Sequence, residues 1–284
     1  MLLDPMLRDW LAEDLGRGDR ATQALLSFGS ASDSVGSDWV TGVFRLKQPG
    51  VVAGLPLAAR VFALLDDQVV FSPRVQEGET CEAQTVIAEI QGSMAAILMG
   101  ERVALNLLMR LSGVATLTHC YVLRLAGFST QLADTRKTTP GLRVLEKYAT
   151  RLGGGCNHRF GLDDAVMLKD NHIVAAGGIG AAIACARQSM PFPLALEVET
   201  ETLAQVQECL EYPVDIIMLD NMPLDILKAA VKLIRERRPT TKIEASGNIT
   251  LDTLGSVAET GVDYISTSAP ITQAPWLDIS LRLT

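Results

Sequence analysis

The 284-residue chain carries only three histidines and five cysteines, and neither type falls into a metal-binding spacing. His119, His158 and His172 form no HExxH pair and no Cys/His cluster, which argues against a zinc cage built by the protein alone. Cys81, Cys120, Cys156, Cys185 and Cys209 are odd in number and widely spaced, as expected of reduced thiols rather than a disulfide framework. Basic charge is scarce as well: 25 Lys and Arg face 33 Asp and Glu, the net charge is −8 and the pI is near 5.0, so a nucleic-acid surface is not expected. Apolar stretches such as Ala95 to Met99 fall far short of the roughly 20 residues that cross a bilayer, so no membrane partner is expected. The opening MLLDPMLRDWLAEDLG places acids where a signal peptide needs bases, which predicts a cytoplasmic protein. No Walker A sequence is present, and no GxGxxG joins a strand to a helix, which disfavours P-loop and dinucleotide-binding readings.

What is present is an ordinary globular composition, 48% hydrophobic and 20% charged, in a chain long enough for one large or two modest domains. A short helix is predicted over Met6 to Leu15, followed by strand-like runs at Val43 to Lys47, Val69 to Pro73 and Thr85 to Gln91, punctuated by Gly and Pro. That pattern favours a small antiparallel sheet with helical cover. Between Ser93 and Ala126 two helical runs are predicted, with Gly113 marking the turn between them. Beyond Gly127 short apolar strands alternate with helical segments, the signature of parallel βα units. The strands TQLADT, AVMLKD, LALEVE, DIIMLD, TKIEAS and DYISTS place polar or charged residues at their ends: Asp134, Lys169, Glu199, Asp220, Ser246 and Ser266. A β/α barrel gathers its active site at that face, and a doubly wound open sheet does so too, so either architecture fits.

Chemistry concentrates between Asp134 and His172. These thirty-nine residues hold Arg136, Lys137, Arg143, Lys147, Arg151, Arg159 and Lys169 against five acids, a balance of +2 in a chain of net −8. A cationic island on an acidic protein points to an anion site. Arg136 and Lys137, followed by Thr138 and Thr139, form a strand-end loop suited to carboxylate or phosphate oxygens. His158 and Arg159 add a second pair and Lys169 a third centre. Cations that converge repel one another, and a polyanion offsets that crowding, since each charge-assisted hydrogen bond returns roughly 1.5–3 kcal/mol. Glu199 and Asp220 suit ribose hydroxyls, a magnesium ion or a developing positive charge. Gly153 to Gly155 allow unusual backbone geometry, and Ser246-Gly247-Asn248 offers exposed amides as a phosphate nest.

The segments DTRKTTPGLR, GGGCNHRFGLDD, LKDNHI, EVE, MLDN, EASG and ETGVDYIS, in that order, closely resemble the quinolinate phosphoribosyltransferase family, as do the upstream GERVALNLLMRLSGVAT and the terminal LDISL. The resemblance implies an N-terminal α/β sandwich over residues 1–112, to which a tail over 271–284 returns, and an open α/β barrel of the type II phosphoribosyltransferase kind over 113–270. It implies transfer of phosphoribosyl from phosphoribosyl pyrophosphate to quinolinate with decarboxylation, giving nicotinate mononucleotide, pyrophosphate and carbon dioxide in NAD biosynthesis. Magnesium is expected to travel with the pyrophosphate, and no protein metal ligand is assigned. A homodimer or hexamer with shared sites is implied, Arg102 matching the arginine a neighbour contributes. Arg136, Lys137, His158, Arg159 and Lys169 match the family's substrate-binding cations, with Lys137, Lys169, Glu199 and Asp220 as the catalytic set. Ser246, Gly247, Asn248, Thr267 and Ser268 fall on its phosphate-binding turns.

Two departures stand out. Asn248 replaces the second glycine of a Ser-Gly-Gly turn, and Thr267-Ser268-Ala269 stands for Val-Gly-Ala. Asn tolerates a left-handed backbone, so Asn248 is expected to keep the loop shape. Phosphoribosyltransferase homologues associated with molybdenum transport share DTRKT and HR but not the intact KDNH of Lys169 to His172. From other classes, Lys169 at a strand end also suits a Schiff-base aldolase for a phosphosugar, and a non-catalytic anion-binding protein would keep the same cations.

Overall fold

The structure is a computed structural model that describes residues 3–29 and 39–284. It divides into two compact units, Met1–Thr116 with Ala274–Thr284, and Leu117–Gln273.

The first unit opens with α1 (Asp4–Leu15), which has Pro5 in its first turn and buries Leu7 and Leu11. Asp19 then starts α2 (Arg20–Gly29), its carboxylate accepting from the backbone N–H groups of Ala21 and Thr22 at 3.0 and 3.1 Å. β1 (Trp39–Leu46) buries Gly42, Phe44 and Leu46 in strict alternation. Next come β2 (Gly50–Val51), α3 (Leu55–Leu65), β3 (Val70–Pro73), β4 (Thr80–Cys81) and β5 (Val86–Ser93). The C-terminal strand Ile279–Leu283 joins β1, β5 and β3 in one antiparallel sheet, in that order. Phe44 meets Phe62 of α3 edge-on at 6.0 Å and Phe71 of β3 at 5.4 Å, and this cluster fastens the helix to the sheet.

Where two helical runs were expected, α4 (Met94–Arg124) is a single helix of 31 residues. Gly113 does not break it. A Cβ there would lie 2.0 Å from the carbonyl oxygen of Pro275, so the glycine serves the close approach of the returning C-terminal segment. Neighbouring Leu, Met, Arg and Ala are strong helix formers, which outweigh the ~1 kcal/mol that one interior glycine costs.

The second unit is an open parallel sheet wound in one direction. Its elements in chain order are β6 (Gln131–Ala133), α5 (Arg143–Leu152), β7 (Val166–Leu168), α6 (Asp170–Ala176), α7 (Ile179–Ser189), β8 (Leu196–Thr200), α8 (Leu203–Cys209), β9 (Ile216–Asp220), α9 (Leu224–Arg237), β10 (Lys242–Ser246), α10 (Leu254–Ala258), β11 (Tyr264–Ser266) and α11 (Ala269–Thr272). The strand order is β6-β11-β10-β9-β8-β7, all parallel. From β7 to β11 each strand lies beside the next, β11 then meets β6, and the winding never reverses, so this is barrel winding rather than a doubly wound sheet. The sheet stays open between β6 and β7. On the free edge of β6, Cys156 alone pairs among the described residues, its N–H donating to the Leu132 carbonyl at 2.7 Å while its own carbonyl accepts from Asp134 N–H at 3.0 Å.

Period-two alternation divides the sheet into two faces. Leu168, Leu196, Val198, Ile217, Leu219, Ile243, Ala245 and Ile265 point to the helical layer and pack with Ile183, Leu227, Val231 and Ile234. The opposite face carries two tiers: Met167, Glu197, Met218 and Glu244 below, then Lys169, Glu199, Asp220, Ser246 and Ser266 at the strand ends.

Candidate active site

A cavity of about 330 Å³ opens over this second face at the C-terminal ends of the strands. Arg136 and Lys137 enter it from the loop after β6, His158 and Arg159 from the loop after α5, and Lys169, Glu199, Asp220 and the Ser246–Asn248 turn from successive strand ends. Four of the seven cations between Asp134 and His172 therefore line one cavity. Arg143, Lys147 and Arg151 do not.

Those three hold the loops instead. Arg143 donates through Nε to Thr138 Oγ1 at 3.1 Å and through Nη1 to the Phe160 carbonyl at 2.9 Å. Arg151 donates to the Gly155 carbonyl at 2.9 Å. Buried Glu146 accepts from both the backbone N–H and the hydroxyl of Thr139, at 2.8 Å each, so α5 pins the Arg136-Lys137 loop at several points. Lys147 is fully buried in an ion pair with Asp134 and donates to the His158 carbonyl at 2.8 Å. Asp134 also accepts from Asn157 Nδ2 at 2.7 Å and from the His158 N–H at 2.8 Å. Burial pushes the Lys147 amine below its ordinary pKa even with Asp134 against it. The triple glycine serves this knot: Gly154 has φ 92°, and a Cβ at Gly155 would crowd Thr150 at 2.9 Å.

Inside the cavity, Lys169 forms an ion pair with Glu199 that stays open to solvent, with side-chain exposures of 42% and 10%. The backbone N–H of Lys169 donates to His172 Nδ1 at 3.0 Å, so His172 caps α6 and is not among the lining residues. Arg159 is nearly buried and donates to the Ala165 carbonyl at 2.9 Å. Burial, with repulsion from Arg136, lowers the pKa of its guanidinium, and Glu197 opposes both. Asp220 accepts from Asn221 Nδ2 at 2.7 Å, and Asn221 Oδ1 accepts from Asn248 Nδ2 at 3.0 Å. Asn248 adopts φ 50°, the left-handed backbone expected of it, and its side chain adds a link toward Asp220 that glycine could not make. A Cβ on Gly247, at φ 94°, would lie 2.2 Å from Asn221 Oδ1, which makes glycine necessary there.

Three expected site residues lie outside the cavity lining. Strand β11 delivers Ser266 to the cavity, but Thr267 turns away, donating to the Ile249 carbonyl at 3.3 Å and accepting from Ala269 N–H at 3.3 Å. Ser268 precedes α11, and its carbonyl accepts from Ile271 and Thr272 N–H at 2.9 and 2.8 Å. Arg102 is exposed on α4 in the first unit.

Two residues that the strand-end reading passed over sit one tier below the strand ends, Glu244 in the cavity lining and Glu197 outside it. Glu197 and Glu244 are buried on the lower tier, and their Oε2 atoms lie 3.2 and 3.5 Å from His158 Nε2. Burial opposes charge on the imidazole, yet the two carboxylates outweigh it and raise its pKa to about 10. Burial also pushes the Glu197 carboxyl up. The trio thus keeps a proton through neutral pH. The signal for it was available in the alternation of LEVET and KIEAS, where the residue two before each strand-end group faces the same way.

Fold and site together define an open α/β-barrel protein whose strand ends gather four cations beside two carboxylates in one cavity. Comparison with known proteins narrows this. The profiles described as quinolinate phosphoribosyl transferase N-terminal and C-terminal domains match residues 19–112 and 114–282. A probable carboxylating nicotinate-nucleotide pyrophosphorylase of Synechocystis is 55% identical over 283 residues, covering 100% of this chain and 93% of that protein. The human carboxylating nicotinate-nucleotide pyrophosphorylase is 39% identical, covering 99% and 91%. The crystal structure of NadC from Streptococcus pyogenes superposes with a TM-score of 0.91 at 42% identity, covering 100% of this chain and 96% of that one. The chain belongs to the quinolinate phosphoribosyl transferase family.

Proposed function

We propose that the protein transfers the phosphoribosyl group of phosphoribosyl pyrophosphate to quinolinate and decarboxylates the product, yielding nicotinate mononucleotide, pyrophosphate and carbon dioxide for NAD biosynthesis. The observation that carries this reading is the convergence of Arg136, Lys137, Arg159 and Lys169 on one cavity that also holds Glu199 and Asp220. A dicarboxylate and a pyrophosphate together supply the negative charge such a floor requires.

In this reading Arg136, Arg159 and Lys169 take the two carboxylates, Lys137 reaches the phosphates, and the Ser246–Asn248 turn offers backbone amides to the 5′-phosphate. Glu199 and Asp220 hold the ribose hydroxyls and face the positive charge that grows at the anomeric carbon as the bond to pyrophosphate breaks. The pyridine nitrogen lone pair forms the new bond. The ring is then a cation, so the adjacent carboxylate departs as carbon dioxide, its bonding electrons stay on the ring carbon, and a proton takes its place. No covalent enzyme intermediate is needed, and the chain contributes position and charge. The carboxylate oxygens of Asp220 would suit a magnesium ion accompanying the pyrophosphate, which would supply counter-charge to the leaving group.

We further infer a homodimer or hexamer in the cytoplasm, each cavity completed by Arg102 of a second copy. Incubating purified protein with quinolinate, phosphoribosyl pyrophosphate and magnesium, with nicotinate in parallel, tests the reaction. Equal amounts of nicotinate mononucleotide and carbon dioxide from quinolinate are expected; turnover of nicotinate instead would refute it. Mixing Arg102→Ala chains with Glu199→Ala chains is expected to restore part of the activity through hybrid assemblies, and no recovery after proven subunit exchange would refute the shared site.

A further inference from the structure

Every polar group of His158 is engaged within the protein. Its backbone N–H donates to Asp134 Oδ1 at 2.8 Å, and its carbonyl accepts from Lys147 Nζ at 2.8 Å. Nδ1 accepts the backbone N–H of Arg159 at 2.8 Å. Nε2 faces Glu197 and Glu244, the two buried acids of the lower tier. An imidazole nitrogen that accepts a hydrogen bond carries no proton, so the ring proton sits on Nε2. Nε2 is therefore a donor to the carboxylates.

The same reasoning separates this trio from a metal centre. His158, Glu197 and Glu244 bring their ligating atoms within 4.8 Å of one another, close enough to surround an ion. A ligating imidazole, however, presents a bare nitrogen to the metal and donates through its other N–H. Here the Arg159 amide occupies the nitrogen that would have to donate. The arrangement suits a proton held between ring and acids.

We propose that Glu197 and Glu244 are positioning residues for the dicarboxylate site: by accepting the Nε2 proton of His158 from below, they set the ring and, through Nδ1, the backbone of Arg159. This rests on the function proposed above. Arg159 needs such support because it is nearly buried and repelled by Arg136, with Glu197 and Asp164 as the acids that favour its charge. One oxygen of each carboxylate, Glu197 Oε1 and Glu244 Oε1, is buried without a hydrogen-bond partner among the described residues. Two acids would not be stable in that condition for packing alone, since apolar residues fill such space at lower cost. Their charge and their hydrogen bonds to His158 are what the site uses. Both lie one tier below the strand-end pair Glu199 and Asp220, with Glu244 reaching the cavity lining and Glu197 outside it.

Two measurements test this. The first is kinetic, with quinolinate and phosphoribosyl pyrophosphate varied separately. Glu197→Leu is expected to raise the KM for quinolinate about tenfold or more, as the loss of a charge-assisted hydrogen bond implies, while the KM for phosphoribosyl pyrophosphate moves less than about twofold. Glu197→Gln, which keeps an acceptor oxygen, is expected to recover most of that loss, and the Glu244 pair is expected to behave alike with smaller amplitude. Unchanged constants in all four variants, or equal loss of affinity for both substrates with no recovery by Gln, would overturn the proposal. The second measurement needs no turnover: the nitrogen-15 spectrum of the three histidines in the ligand-free protein, with His158 identified by its absence in His158→Gln. A protonated Nε2 is expected, and a bare Nε2 would overturn it. Wild-type protein that fails to turn over quinolinate would refute the assigned reaction, and the spectrum would still decide the seat of His158.

Discussion

Lys147 and Lys169 are both lysines paired with a carboxylate beside the same cavity, yet their surroundings differ at nearly every point. Lys147 and Asp134 have side-chain exposures of 0% and 1%, and Asn157 and the His158 backbone saturate the remaining hydrogen bonds. Lys169 and Glu199 are 42% and 10% exposed, with cavity space on both sides. The first pair has left water completely and has no partner to exchange. The second remains partly open to solvent, and in the proposed function a substrate takes Lys169 for its carboxylate and Glu199 for its hydroxyls. The same two residue types thus serve the fold in one place and the chemistry in the other, and desolvation decides which.

The contrast is sharpest under mutation. Lys147→Met leaves Asp134 buried and uncompensated, so about 3–5 kcal/mol of unfolding free energy is expected to be lost, measured by urea titration. Lys169→Ala is expected to do the reverse: kcat/KM falls by about a hundredfold or more, while the urea-derived stability moves by less than about 1 kcal/mol. If Lys169→Ala unfolded the protein, or Lys147→Met left its stability intact, the division between the two pairs would be wrong.

Proton release from the buried trio comes next in size. A group whose folded pKa lies above its unfolded value stabilises the protein below the unfolded value, and that stability is lost as pH rises through the folded one. For His158 the window runs from 6.5 to about 10. Stability is therefore expected to fall across that range with a slope of up to about 1.4 kcal/mol per pH unit, and Glu197→Gln is expected to flatten it. A pH-independent stability between those limits would contradict the assignment. Salt has the smallest effect. Raising ionic strength toward about 1 M shortens the screening length to about 3 Å, so apparent affinity for quinolinate is expected to drop several-fold while urea stability barely responds at the Asp134–Lys147 pair.

Much of this was legible in the sequence. The six βα units announced themselves by alternating apolar strands and helices, and Asp220, Lys169 and Glu199 stood at strand ends where barrel chemistry gathers. Strand and helix alternation alone left barrel and doubly wound sheet open, because strand order depends on which edges pair; the family resemblance is what pointed to the open barrel. Nor could the cationic stretch reveal which charges were free: Arg143 and Lys147 look the same as Arg136 and Lys137 until their partners Thr138 and Asp134 are placed. Gly113 misled for a related reason, its purpose lying in Pro275, far away along the chain. Glu197 and Glu244 were readable in principle, since period two puts them on the face of Glu199 and Ser246, but a search confined to strand ends stops one tier short.

The most direct test of the cavity as a dicarboxylate site is calorimetric titration of the ligand-free protein with quinolinate and, separately, with nicotinate. One quinolinate per chain is expected, bound at least about tenfold more tightly than nicotinate, the margin of one charge-assisted hydrogen bond, with the difference abolished in Arg136→Ala. Equal affinities for the two acids, or full quinolinate binding by Arg136→Ala, would contradict the account.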